Sequence, residues 1–516
     1  MPTETIMQAR QCLDTLRANV DAAFAYLHGV CLQDGTLAPQ LLDQNQKVSY
    51  ELAFCVAELE ASAALLDYAV NIDTETDLCA RVALVFCAET IRSTWQRLLS
   101  HAQELGLQST ELLTLMGTDL FVGFLDSHGD VKQLAQIGAE LLDRGNARLP
   151  TGLGEEKDLV RESFARFADD VVMPKAESIH RFDTDIPDAL IEAAAAMGCF
   201  GTCIPEQFGG LMPDDRHDSL GMLVVTEELS RGSLGAAGSL ITRPEIAARA
   251  LLHGGTEAQK LKFLPQLAAG QMLAAISITE PDYGSDVASL SLRASSTDNG
   301  WVLNGAKTWC TFAGKADVIV VIARTDPDRK KGHRGLSMFM VEKPRFEGHE
   351  FSYDNPAGGR LIGRAIPTIG YRGMHSFDLS FTDYAVPNEA LVGEDNGQGQ
   401  GFYLTRAGLS GGRIQTAARA SGVMQAALEK ALTYAGDRKV FGAPVGDYQL
   451  TRVKLARMLA ALTASRQFSY AVAKLMDAGG GQMQASLVKL FSCRAAEWVT
   501  REALQIHGGM GYAEET

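Results

Sequence analysis

Thr279-Glu280-Pro281 and Gly284-Ser285-Asp286 share one short stretch, AISITEPDYGSDVASL, and KTWCTFAG (Lys307 to Gly314) follows at close range. A threonine hydroxyl, the backbone donors of a Gly-Ser turn and a Trp-x-Thr on strands suit a flat, hydrogen-bonding ring and its diphosphate. Taken singly, each has a plain structural reading, because a TEP turn is often a proline-fixed loop and a strand tryptophan is usually core. At this spacing the pair predicts a flavin site.

Further motifs follow in order: GRIQTAARASG (Gly412 to Gly422), DRKVFG (Asp437 to Gly442) and QIHGGMGY (Gln505 to Tyr512). With EQFGG (Glu206 to Gly210), GGTEAQKLKFLPQLAAGQ (Gly254 to Gln271) and VPNEALVGEDNGQGQGF (Val386 to Phe402), they resemble the acyl-CoA dehydrogenase family from about Glu155 onward. The resemblance implies an FAD enzyme that oxidises an acyl-CoA and hands electrons to an electron-transferring flavoprotein. It implies that Ile276, Ile278, Thr279, Gly284 and Ser285 hold the flavin's pyrimidine side and diphosphate, that Trp309 packs on the ring, and that Thr311 lies near N5. Arg438, Phe441 and Gln449 match an element that grips a neighbouring subunit's FAD, and Gln505, Gly508 and Gly509 match a turn that lets backbone approach it. A homo-oligomer, dimer or tetramer, is therefore expected.

On the substrate side the resemblance places Ser285 near the pantetheine arm and LSGGR (Leu409 to Arg413) at the thioester, with Ser410 and Arg413 as contacts. Many relatives carry Asp where this chain has Ser410. Some place the catalytic Glu where this chain has Gly412, so no base is assigned within residues 1–516 and one is expected past Thr516; Glu514 and Glu515 belong to the turn beside the cofactor. Within the family, a long N-terminal extension and an insert like FSYDNPAGGRLIGRAIPTIGYRGMHSFDL (Phe351 to Leu379) resemble enzymes of a branched, dicarboxylic C5 thioester. A second carboxylate needs a cation or several donors. Arg243 is the candidate, its plain alternative being a helix-surface Arg paired with Glu245 or solvent. Other acyl substrates, an oxidase, or a noncatalytic CoA-binding scaffold are the competing readings.

These residues need a scaffold, and 516 residues at 46% apolar suffice for two to four domains. A net charge of −16 argues against nucleic acid and anionic lipid. No apolar run reaches the about 18 residues of a membrane span, and the N-terminus lacks a secretory layout, so a cytoplasmic protein is expected. Nine cysteines without a CxxC pair and ten dispersed histidines predict neither disulfides nor a metal site. His507 is the only histidine beside a proposed site.

Apolar spacing predicts helices over residues 1–150, a helical domain over 155–272, a β-domain over 273–395 (VIVVIART, LSMFMVEK, FDLSFTDYAV) and a helical bundle over 396–516. The expected class is mainly α with a central, barrel-like β-domain and an N-terminal helical extension. Leu149 to Gly154 reads as a linker. The N-terminal helices align with the C-terminal ones, QKVSYELAFCVAELEASAALLDYAV with QLTRVKLARMLAALTASRQFSYAVA, and ARVALVFCAETIRSTW with ASLVKLFSCRAAEWVT. Either this is a degenerate copy of the C-terminal bundle or it is shared periodicity alone. HGVCLQDGTLAPQLLDQNQ lacks the Arg-Lys-x-Phe-Gly element of its counterpart.

Overall fold

The computed structural model describes residues 2–74 and 76–514, the side chains of Pro2, Thr3 and Ser410 excepted. The chain forms two compact units, Met1–Asp158 with Thr416–Thr516, and Leu159–Gln415. As the residue pattern predicts, a helical segment precedes the sheet in chain order, another follows it, and an N-terminal helical region comes before both.

In the first unit, helices Gln46–Asn71 and Thr76–Ser100 pack on each other and on Gln449–Asp477, and Gln482–Ile506 packs on the first of them. Leu52, Leu59 and Leu66 recur seven apart, two helical turns, and are all buried, as are Leu455, Leu459 and Leu462 opposite. Burying such a leucine stabilises by about 1.5–3 kcal/mol. Phe86 and Phe491, from the second helix of each run, meet edge to face at 5.9 Å.

The two runs also share an order that apolar spacing does not reveal. Helix Pro2–Val30 leads into a two-stranded hairpin, Leu32–Gln33 with Thr36–Leu37, before the helix at Gln46; helix Gly401–Asp437 leads into Lys439–Val440 with Ala443–Pro444 before the helix at Gln449. Both hairpin turns place two residues at positive φ, Asp34 (52°) and Gly35 (74°) in one, Phe441 (50°) and Gly442 (85°) in the other. That is the two-residue hairpin geometry that follows strand twist, and Asp-Gly favours it. The first of these segments lacks the Arg-Lys-x-Phe-Gly element yet keeps the hairpin.

Leu149 to Gly154 is not a free linker. Tyr68 Oη donates to the Pro150 carbonyl at 2.7 Å, Gln467 Nε2 donates to the Thr151 carbonyl at 3.0 Å, and Thr151 is buried. Pro and Gly mark a break in helix, but side chains from packed helices satisfy its backbone.

In the second unit the strands are β1 (Ala274–Ser277), β2 (Arg293–Thr297), β3 (Gly300–Thr311), β4 (Val318–Arg324), β5 (Leu336–Glu342), β6 (Glu350–Asp354), β7 (Arg360–Ala365) and β8 (Ser376–Val386). Their order is β1-β4-β2-β3-β8-β7-β6, with β5 antiparallel to β4. Strand β4 is buried along its whole length, as its unbroken apolar run requires. Helices Thr242–Gly254 and Glu257–Ala268 share one core cluster with the apolar residues on one face of β1, β4 and β5, among them Ala274, Val320 and Met338. The second helix starts at a capping box formed by Thr256 and Gln259. The other sheet face has its own core, with Trp301, Phe339, Phe377 and Phe381.

Candidate functional site

The two flavin-type motifs are joined chemically. Lys307 of KTWCT sends its ammonium to the Ile278 carbonyl at 2.7 Å and to Glu280 Oε1 of the TEP turn at 2.9 Å. Thr308 N donates to the Thr279 carbonyl at 2.9 Å. Glu280 also accepts from Ser291 N and Oγ, both at 2.7 Å, and from Leu292 N at 2.9 Å. Burial raises the energy of the Glu280 carboxylate, but Lys307 and these donors hold its pKa below the ordinary value. For Lys307 burial dominates over the pull of Glu280 and brings its pKa down to about 8. Neither residue is among the expected ligand contacts. Their signal was a Glu and a Lys fixed inside two motifs whose other members were read as ligand contacts.

This pair positions the residues proposed to hold a cofactor. Ile276 lies on β1; Ile278 and Thr279 follow it and are half-buried, and Gly284 and Ser285 are exposed in the loop after the Glu280–Tyr283 turn. An added Cβ at Gly284 would meet nothing within 4 Å, so this loop faces open space. Arg324, itself buried, donates to the Leu290 and Ala288 carbonyls at 2.8 and 2.7 Å and fixes the chain leaving the loop.

Trp309 stands at φ 57° and is 56% exposed, although Cys310 beside it on β3 is fully buried. A bulky residue in the left-handed region is an outlier that surrounding structure must impose. The result is an aromatic face turned outward beside Thr311, whose Oγ1 lies 2.9 Å from Ser376 Oγ across the β3–β8 pair. Between them, burial pushes the Cys310 thiol up to about 12, which removes it as a nucleophile at neutral pH. An exposed aromatic plate, an adjacent hydroxyl and an open Gly-Ser loop fit a flavin ring and its diphosphate.

Arg243 lies at the start of helix Thr242–Gly254 and is half-buried. It does not pair with Glu245, which accepts from Arg249 at 2.6 Å. Its Nη1 donates instead to the Ser239 carbonyl at 3.2 Å and to Tyr371 Oη at 3.0 Å, and its guanidinium sits 5.9 Å from the Tyr371 ring centre. The insert arginines Arg360 and Arg364 pair with Asp354 and Glu350 across the β6–β7 hairpin. Arg413 is exposed and Gly412 half-buried on helix Gly401–Asp437; the Ser410 side chain lies outside the described residues.

The other predicted contacts belong to the first unit, and all are exposed: Arg438, Phe441 and Gln449 on and after the hairpin, and Gln505, Gly508 and Gly509 where helix Gln482–Ile506 ends. Phe441, at the hairpin tip, is 99% exposed. Tyr448 Oη braces that hairpin through the Val440 carbonyl at 2.9 Å. Tyr434, one turn before Arg438, stacks on His507 at 4.5 Å, which ties the hairpin's base to the Gly-rich turn. Added Cβ atoms at Gly508 and Gly509 would meet nothing within 4 Å. Glu514 is exposed, and Glu515 lies outside the described residues.

His507 is not the only histidine beside a proposed site. His375 immediately precedes Ser376, the partner of Thr311, and its carbonyl accepts from Phe312 N at 2.8 Å. Chain distance had hidden this, because β8 returns alongside β3 only in the folded sheet.

Three family models match the chain: the acyl-CoA dehydrogenase N-terminal domain over residues 154–271, the middle domain over 275–384 and the C-terminal domain over 399–516. The (2S)-methylsuccinyl-CoA dehydrogenase of Cereibacter sphaeroides is 36% identical over 521 residues, covering 98% of this chain and 92% of that protein. The mitochondrial 2-methylacyl-CoA dehydrogenase of Solanum tuberosum is 35% identical, covering 70% of this chain and 84% of its own length. Among solved structures, a glutaryl-CoA dehydrogenase from Mycobacterium smegmatis in complex with FADH2 superposes with a TM-score of 0.61 at 26% identity, covering 70% of this chain and 86% of that one.

Proposed function

This chain belongs to the acyl-CoA dehydrogenase family, oxidoreductases acting on the CH–CH bond of an acyl-CoA, and from that premise we propose that it converts methylsuccinyl-CoA to mesaconyl-CoA with FAD. The observation that carries the choice of substrate is the extent of one similarity. The match to the methylsuccinyl-CoA enzyme takes in 98% of the chain, whereas the 2-methylacyl-CoA enzyme covers 70%. The pairing of Arg243 with Tyr371 of the insert adds a cation and a hydroxyl for a distal carboxylate.

FAD, when bound, would supply the two-electron acceptor for the β-hydrogen and its bonding pair, and the α-proton would leave to a carboxylate base. The chain's own residues do the positioning. Trp309 offers the ring a face, Thr311 a hydroxyl whose direction Ser376 sets, and the Gly284–Ser285 loop its backbone donors. Ser285, Ser410 and Arg413 take the thioester end, and Arg243 the far carboxylate, so that both reacting carbons are held in one orientation. Arg438, Phe441, Gln449 and the Gln505–Gly509 turn reach the FAD of a neighbouring copy in a homo-oligomer, and an electron-transferring flavoprotein takes the electrons. The N-terminal segment is a degenerate copy of the C-terminal bundle, supported by the repeated helix–hairpin–helix–helix order, with Asp34 where the other hairpin presents Phe441.

The test is a panel of short branched and dicarboxylic CoA thioesters, followed by flavin bleaching and by turnover with an electron-transferring flavoprotein. Methylsuccinyl-CoA is expected to have the highest kcat/KM. A monocarboxylic thioester such as 2-methylbutyryl-CoA exceeding it by about tenfold would overturn the assignment.

A further inference from the structure

Asp183, His349 and His375 are far apart in sequence, yet their ligand atoms lie within 4.8 Å of one another. His375 Nε2 is 3.2 Å from His349 Nε2 and 3.2 Å from Asp183 Oδ1, and His349 Nε2 is 3.0 Å from the Asp183 carbonyl and 3.8 Å from Asp183 Oδ2. We propose that these three residues form a binding site for a divalent transition-metal ion of the zinc class.

The spacing suits such an ion. Two ligand atoms at about 2.0–2.1 Å from a tetrahedral zinc are about 3.3 Å apart. Imidazole with carboxylate is a donor set that favours zinc over the hard, all-oxygen cations.

The hydrogen bonding behind the ligands has the right sense. His375 Nδ1 lies 2.9 Å from Asp185 Oδ1, and Gly348 N donates to Asp185 Oδ2 at 2.6 Å. Both carboxylates only accept, so without an ion His375 turns Nδ1–H to Asp185 and Nε2–H to Asp183; a bound ion would take the place of the Nε2 proton, while Asp185 keeps Nδ1–H and holds the ring. A carboxylate behind a histidine ligand is the usual support of a metal-bound imidazole.

The backbone is committed as well. Asp183 and His375 both adopt positive φ, 52° and 38°, unusual for residues other than glycine. His375 is buried, while His349 and Asp183 are partly exposed, which leaves an approach for the ion and for water as a further ligand.

The neighbouring charges both oppose and favour a cation. Arg372 Nε lies 3.7 Å from Asp183 Oδ1, and Lys315 acts on Asp185. Against them stand two carboxylates, Asp183 and Asp185.

The ligands come from three segments: the end of helix Met173–Phe182, the turn before β6, and the residue before β8. The last is bonded to Phe312 through its carbonyl and is followed by Ser376 on Thr311. A bound ion therefore clamps the segment that braces Thr311.

The experiment is equilibrium dialysis of the untagged, full-length holoprotein against zinc at about pH 8, with bound metal measured by mass spectrometry. Wild type is expected to take up one zinc per chain and to unfold at a higher temperature with zinc than without. In His349→Ala, whose side chain is half-exposed, uptake is expected to fall to background and the zinc-dependent rise to vanish. Its FAD content and its metal-free melting temperature should stay at wild-type values. Asp183→Asn is expected to weaken binding at least tenfold. No stoichiometric zinc in wild type, or equal uptake in His349→Ala, would overturn the site. Metal content and melting temperature are read without substrate, so they stand apart from the fate of the acyl-CoA assignment.

Discussion

Replacing Lys307 with Met should loosen the flavin-type site from a position that touches no ligand. The substitution keeps length and apolar stem but deletes two bonds, to the Ile278 carbonyl and to Glu280 Oε1. Lys307 is fully buried and Glu280 nearly so. Removing one member of a buried pair costs about 3–5 kcal/mol, because the other charge remains in a low-dielectric site. Glu280 keeps three donors, from Ser291 N, Ser291 Oγ and Leu292 N, which places the cost near the lower end, about 3 kcal/mol. For a unit of this size that corresponds to a fall in Tm of roughly 6–12 °C. FAD content should fall with it, since Thr279 on one side and Trp309 with Thr311 on the other lose their common anchor. Differential scanning fluorimetry and flavin absorbance per chain measure the two effects. A cycle with Glu280→Gln and the double variant should return a coupling of about 2–3 kcal/mol. A Lys307→Met protein with wild-type FAD content and a Tm within about 2 °C of wild type would refute the reasoning.

Lowered pH attacks the same pair. The Glu280 pKa is depressed in the folded chain, so its contribution is fully present above the unfolded value of about 4.5 and is lost as pH falls below that toward the folded value; urea unfolding between neutral pH and pH about 4 should show a loss that Glu280→Gln lacks. Arg438→Ala should lower FAD retention after gel filtration without lowering the Tm of the apoprotein, because Arg438 is an exposed hairpin residue; unchanged FAD occupancy would sink its assignment. Arg243→Met should reduce kcat/KM for methylsuccinyl-CoA roughly thirtyfold, about 2 kcal/mol for a half-buried charge, and leave 2-methylbutyryl-CoA little changed. Equal losses for both thioesters would assign Arg243 to packing, and no loss for either would move the carboxylate's partner elsewhere.

Local order and periodicity were legible in the sequence. The alternating and continuous apolar runs of β4, β5 and β8 and the seven-residue recurrence of Leu52, Leu59 and Leu66 predict strands and buried helix faces, because burial follows the period of the backbone. The order of the motifs identified the family. The hairpin at Leu32–Leu37 was legible too, in Asp34-Gly35, but that signal is two residues long and lay in a segment read only for a missing motif.

Tertiary structure decided what depends on distance through space. Glu280 and Lys307 sit 27 residues apart, and the sequence showed two motifs without the ion pair that makes them one device. Arg243 could be matched by charge with Glu245, two residues away, yet the fold gives it Tyr371, 128 residues on, and leaves Glu245 to Arg249. Histidines counted along the chain were dispersed and predicted no metal site, whereas the return of β8 alongside β3 sets His375 against Asp183, 192 residues before it, and against His349. Sequence determines which residue types are available and which face of an element they occupy; the pairing of strands and the packing of helices determine which of them come within the few ångströms over which hydrogen bonds, ion pairs and metal ligation act.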